Sequence, residues 1–244
     1  MMANMEARWA AFPKKPDVKK EQEALAGLRG LPDQTASKPN FSELRHHPQQ
    51  IFIPLAIDNT PATYFFDTGA WLNSMSASEA KRLGLTVRES QSTLGTATGE
   101  RVGYRTAIAR EVTIGAMRFS NVSFAVFDDS DEPWPSLAPG RRGAPGIPMI
   151  LAFRTLRWSK DGTVQIGAKG NRPDPLQANL FFDDDHLLAS ARVGESEIRA
   201  TLDTGAETTD LYLPFANRFP ALVQAGTKAT NDIRGVGNKQ RARG

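Results

Sequence analysis

Residues 65–70 read FFDTGA and residues 201–206 read TLDTGA, so one acidic turn occurs twice in a single chain. No other feature of the sequence limits the fold so tightly. The stretch QIFIPLAIDNTPATYFFDTGA (50–70) lies without a gap over HLLASARVGESEIRATLDTGA (186–206), at the 136-residue separation of Asp67 and Asp203. Under that offset Ile51 meets Leu187, Ile57 meets Val193, Ala62 meets Ile198 and Phe66 meets Leu202. In both copies an apolar run, a turn and a second apolar run lead into Asp-Thr-Gly-Ala, the pattern of a hairpin that ends on the acid. At ordinary residue usage one Asp-Thr-Gly arises by chance in such a chain on the order of one time in twenty. Two copies with matching hairpins are far rarer, so the pattern predicts an internal duplication, with a period too long for a solenoid.

Asp-Thr-Gly alone is a serviceable turn, because Asp bonds its own backbone and Gly takes positive φ. A matched pair suits a chemistry that needs two acids. Two carboxyls held about 3 Å apart cannot both ionise at modest cost, so they share a proton and titrate as a unit. The ionised partner can take a proton from water while the protonated one donates to a scissile carbonyl oxygen. On this reading Asp67 and Asp203 are the catalytic pair. Thr68 and Thr204 fix the loops, and Gly69 and Gly205 leave room where the loops crowd, with Ala70 and Ala206 closing each turn.

The rest of the chain falls into four stretches. Residues 1–45 form a polar arm, broken by Pro13, Pro16, Pro32 and Pro39, with one short amphipathic helix carrying Leu25, Leu28 and Leu31. Residues 46–168 make a first unit of short strands and turns. Within it SASEAKRLGL (76–85) reads as a helix with Ser76 at its N-cap and Gly84 at its end. Strands are expected at 110–119 and, separately, at 121–129, followed by a Pro/Gly loop at 132–146. Residues 169–185 read as a linker, and 186–244 as a second unit.

FFDTGA, then SASEAKRLGL, a Gly-bearing hairpin and GIPMILAFRTLRWSKDGTVQIG resemble one unit of a retropepsin-like aspartic protease. Bacterial aspartyl protease family proteins with tandem units are the nearest resemblance, in full over roughly 50–167 and in part over 186–244. The resemblance implies a mainly β, retropepsin-like (acid protease) closed β-barrel, duplicated, with a substrate cleft between the units. It also implies a flap over that cleft. By position the first flap falls near Thr98, Gly99 and Glu100, and the second near Gly235 and Gly237. The implied activity is that of an aspartic endopeptidase on a peptide or protein substrate, without cofactor or metal. The alternative is a retropepsin-like module that binds extended peptide or a protein partner without cutting it.

Two side chains and one length depart from that pattern. Met149 stands where the resemblance leads one to expect a glycine beside the catalytic loop, and Trp71 follows the first turn where a small polar residue is commoner. The first unit runs 100 residues past its Asp to residue 167, the second only 41 to residue 244. The second copy is therefore expected to be truncated, the chain a fragment, and the pair of acids formed either as a pseudo-dimer within the chain or in a homodimer.

Composition narrows the remaining classes. A formal net charge of +3, without a Lys/Arg block, argues against a nucleic-acid partner. With no cysteine there is neither disulfide nor thiolate nucleophile. No apolar run is long enough to span a membrane. The opening residues carry no signal peptide, so an export signal would have to lie upstream of this start. His46, His47 and His186 do not form a metal-ligand pattern, and DDSDE (128–132) and DDD (183–185) lack the glycine and distal Glu of a calcium loop. Trp134 either anchors the Pro-rich loop or reaches over the cleft.

Overall fold

A computed structural model describes residues 22–37, 41–45, 51–96, 99–167, 178–183, 186–226, 231–233, 236–237 and 241–243. Its folding logic begins at Asp58 and Asn59. Both take positive φ (44° and 67°), the conformation that a two-residue hairpin turn demands and that Asp and Asn tolerate. They join strand β3 (Phe52–Ile57) to β4 (Thr60–Phe65), and alternate residues Ile53, Leu55 and Ile57 turn inward. A second tight turn at Gly115, φ 56°, joins β9 (Arg105–Ile114) to β10 (Met117–Phe127).

These four strands carry a mainly β, nearly closed barrel-shaped sheet. Its order is β11-β5-β10-β9-β3-β4, where β5 is Ser74–Ser76 and β11 is Gly143–Ala144. Two short strands join it at the side: β1 (Thr35–Ala36) on β10 and β6 (Val87–Arg88) on β9. The sequence expectation splits β10 at Asn121. The strand instead runs through, with Asn121 at φ 56° and its neighbours Ser120 and Val122 in unbroken register with Glu111 and Ala109.

Helix Ala77–Arg82 starts where the sequence places it: the Ser76 side chain accepts a bond from the Glu79 amide, 3.2 Å, and Gly84 follows at φ 68°. Glu79 is buried on that helix. Burial acts to raise its pKa, but bonds from Arg82, Gly140 and Tyr64 outweigh burial and hold it below the usual range.

The polar arm is more engaged than its composition suggests. Strand β2 (Ser42–Arg45) pairs with β13 (Thr163–Ile166), which in turn pairs with β12 (Leu156–Trp158). Residues 22–25 form one helical turn followed by the 3-10 turn Ala26–Leu28. Leu25 and Leu28 are buried there with Leu72, Tyr104, Phe127 and Trp134 in a cluster separate from the barrel core. The barrel core itself centres on Phe66, Phe119 and Phe153, whose rings meet at 5.4 and 5.8 Å.

In the second half, β15 (His186–Val193) and β16 (Ser196–Thr201) form a hairpin turned at Gly194, φ 58°, with β14 (Leu180–Asp183) on its outer edge. Helices Leu213–Arg218 and Pro220–Gln224 follow. Among the described residues this half buries little: Leu211, Tyr212, Leu213, Leu222 and Val223 all lie exposed.

Candidate active site

Each Asp-Thr-Gly turn leaves the end of a hairpin strand, Asp67 after β4 and Asp203 after β16, and the two turns meet. Their threonines lock them together. The Thr68 amide donates to Thr204 Oγ1 (3.1 Å) and the Thr204 amide donates to Thr68 Oγ1 (3.0 Å). Each hydroxyl then donates across to the backbone before the other acid, Thr68 to the Leu202 carbonyl (2.6 Å) and Thr204 to the Phe66 carbonyl (2.7 Å). A β-branched hydroxyl is the side chain that can both accept and donate here while keeping one rotamer.

The glycines are required by distance. A Cβ on Gly69 would sit 2.6 Å from the Asp203 carboxyl carbon, and one on Gly205 would sit 2.7 Å from that of Asp67. Each turn thus presses its bare backbone against the opposite acid. Asp67 Oδ1 accepts from the Gly69 amide at 2.9 Å. Asp203 Oδ1 accepts from two amides, Gly205 at 2.9 Å and Ala206 at 3.2 Å. Burial, and next the charge of Asp203, push the Asp67 carboxyl up to about 7. Asp67 keeps partial contact with solvent and Asp203 is exposed, so water reaches the pair.

The first turn is braced from behind by Pro145–Ile147, just ahead of the position where the sequence reading expected a glycine. Asp67 donates its amide to the Pro145 carbonyl (3.1 Å), and the Ile147 amide donates to Ala70 (3.0 Å). Gly146 lies so close that a Cβ would come within 2.5 Å of the Leu72 carbonyl oxygen and 2.6 Å of that of Ala70. The glycine sought at position 149 is therefore Gly146, three residues earlier. Met149 is a fully buried core residue on the short helix Ile147–Ile150. Asn73 ties the brace to the barrel: its Oδ1 accepts from the Gly146 amide (3.0 Å) and its Nδ2 donates to the Ser123 carbonyl (3.1 Å). The signal available in the sequence was the order of β-like residues, Pro145 and Gly146 ahead of a helix, read one turn too late.

Both expected flaps are hairpins. Strand β7 (Thr93–Gly95) pairs with β8 (Arg101–Gly103), and β17 (Asn231–Ile233) pairs with β18 (Arg241–Arg243). Thr98 and Gly235 lie outside the described residues. Gly99 takes φ 79° at the first tip. Gly237, φ 111°, brings the second tip against the first: a Cβ there would be 3.0 Å from Glu100 Oε2 and from a Val102 methyl. Val236 packs with Val102 and Leu94 onto the cluster that holds Leu72 and Trp134. Trp134 is 1% exposed and anchors its loop; Trp71 is half-buried against the same cluster. The acidic run at 128–132 is engaged locally, Asp128 with Arg105 and Asp129 with Ser78. No helix among the described residues is long and apolar enough to cross a membrane.

Residues 53–151 match the aspartyl protease family. No curated protein matches the chain. Solved structures do, among them a retropepsin-like aspartic protease from Rickettsia conorii, 18% identical, with a TM-score of 0.39 over 55% of this chain and 92% of that one. The family match spans residues 53–151, the stretch that carries Asp67, its brace and the hairpin Thr93–Gly103.

Proposed function

We propose that the protein is an aspartic endopeptidase that hydrolyses peptide bonds with water activated between Asp67 and Asp203. The observation that carries this reading is the meeting of the two turns, in which Asp67 is pushed up to about 7 beside a second carboxyl. The family match over residues 53–151 and the barrel support a general aspartic protease function.

The environments divide the roles. Asp67 lies deeper, in surroundings that favour its proton, and acts as the acid. Asp203 is exposed, accepts amide bonds from Gly205 and Ala206, and acts as the base. Water between them gives a proton to Asp203 as its oxygen attacks the scissile carbonyl carbon, and Asp67 protonates the carbonyl oxygen. Collapse of the resulting gem-diol returns one proton to Asp67, while Asp203 delivers its proton to the departing nitrogen. An extended peptide lies between this pair and the two hairpin tips, whose backbones bond it as an added strand.

The test is digestion of a mixed peptide set by the full chain from pH 3 to pH 8, read by mass spectrometry. Cleavage is expected for the unsubstituted protein and a loss of about 10³-fold or more for Asp67→Asn and Asp203→Asn. Absence of cleavage at every pH, together with failure to bind a hydroxyl-bearing transition-state inhibitor, would refute the enzyme reading. One observation favours a second reading. Leu211, Tyr212 and Leu213, which follow the Asp203 turn, lie exposed and offer an apolar surface to a partner. A module that holds peptide without cutting it would bind the inhibitor or peptide yet leave the set intact.

A further inference from the structure

The segment before the barrel touches the first flap at every level of its structure. At its start, Glu23 faces Arg101 of β8 at 3.6 Å. One residue on, the Tyr104 hydroxyl donates to the Ala24 carbonyl, just past the end of β8. The Gly27 amide donates to Ser92 Oγ at 2.8 Å, one residue before β7. Between these polar ties Leu25 and Leu28, 1% and 4% exposed, fill a cluster onto which Leu94 and Val102 of the flap pack from above. Leu94 and Val102 are directly paired partners across the flap hairpin, so the cluster that holds the two leucines seats one rung of its ladder. Gly27 fits closely: a Cβ would lie 2.4 Å from Ser90 Oγ and 3.2 Å from its Cβ. Beside it a groove of about 310 Å³ runs between this segment and Arg88–Ser92, so the hold is local.

Exposed ion pairs such as Glu23–Arg101 contribute little by themselves. The two buried leucines and two hydrogen bonds do most of the holding: the bonds fall at the root of the flap, and the leucines share their cluster with Leu94 and Val102 as well as with Leu72, Phe127 and Trp134. A two-stranded hairpin of three residues a side has almost no stability of its own. Its pose must therefore be set by what it leans on, and on this side that is residues 23–28.

We propose that residues 23–28 are a positioning strap for the first flap, holding hairpin Thr93–Gly103 over the Asp67 turn so that Leu25, Gly27 and Leu28 set how tightly peptide is held. This rests on the proposed peptidase function only for its kinetic consequence. The strap itself is tested by hydrogen exchange in the full chain, without reference to activity.

Two variants are compared with the unsubstituted protein: the double substitution Leu25→Ser, Leu28→Ser, and Gly27→Val, which crowds Ser90 and leaves the leucines in place. Amides of residues 93–103 are expected to exchange at least about tenfold faster in each, while those of β9 and β10 keep their protection. Adding Ser90→Gly to Gly27→Val is expected to restore flap protection. Where peptide is cleaved, KM is expected to rise several-fold with kcat nearly unchanged. Unchanged exchange in the flap overturns the strap, and so does faster exchange of the flap in step with β9 and β10, which would mark general loosening of the barrel. If the double variant does not fold, Gly27→Val and its Ser90→Gly partner decide the question alone. Absence of cleavage with the expected exchange pattern would refute the peptidase reading and leave the strap standing.

Discussion

Asp67 holds its proton more tightly in the folded protein than in an unfolded chain, from 3.8 up to about 7, because it is buried and faces Asp203. The sign of the consequence follows from linkage. A raised folded-state pKa favours folding most below about pH 4, and that contribution is lost as the pH climbs through about 7. Asparagine does not titrate, so Asp67→Asn escapes the loss. The melting temperature of that variant relative to the unsubstituted protein is expected to rise between pH 4 and pH 7 and then level off. A difference that is flat across this range would show that Asp67 carries no strained charge. The same proton is needed for the proposed hydrolysis, so cleavage is expected to decline as pH rises through about 7. At this scale the sequence is legible where chemistry repeats. Asp67, Thr68 and Gly69 announce themselves because Asp203, Thr204 and Gly205 follow in the same order. Asn73 and Gly146 do not, because their bond spans 73 residues and no local pattern marks either end.

Hairpins were readable when their turns had distinctive chemistry. Asp58-Asn59 and Gly194 fix the β3–β4 and β15–β16 corners, and in β4 buried Ala62 and Tyr64 alternate with half-buried Thr63 and Phe65. Strands β1 and β2 were not readable, since two and four residues carry too little alternation to stand out from a polar arm. Their identity is set by partners: β2 exists because β13 presents a free edge to it. Hairpins Thr93–Gly103 and Asn231–Arg243 were expected from position, and what could not be foreseen was their meeting at Gly237. Alanine there would need φ near 111° and would push a methyl onto Glu100 and Val102 at 3.0 Å. Gly237→Ala is expected to part the two tips without disturbing the barrel. Trypsin cleavage after Arg101, in the first hairpin, is expected to quicken several-fold at an unchanged melting temperature. An unchanged cleavage rate would show that the tips do not support each other.

Across the whole molecule the two halves bury their side chains very differently. Met75 and Leu211 occupy matching positions eight residues after their acids, yet Met75 is fully buried between β10 and β11 while Leu211 is 59% exposed. Truncating Met75 to Ala is expected to cost about 2–5 kcal/mol, the range for emptying a packed site. Leu211→Ala is expected to change stability by no more than about 0.5 kcal/mol. Equal losses in a denaturant titration would mean that Leu211 is covered in solution. The mainly β class and the barrel of the first half were legible from strand spacing and from the resemblance, whereas the distribution of burial was not. Periodicity marks which side of a strand is apolar; it does not say whether anything lies against that side.

The four bonds between Thr68, Thr204, Phe66 and Leu202 join points 134 to 138 residues apart in the chain. During synthesis on a ribosome, the barrel around Asp67 can form long before Asp203 has been added. A nascent chain shorter than about Ala206 therefore holds one lone carboxyl and no partner for it. Whatever these acids do together is switched on by the arrival of the second turn, and the growing chain is spared it until then.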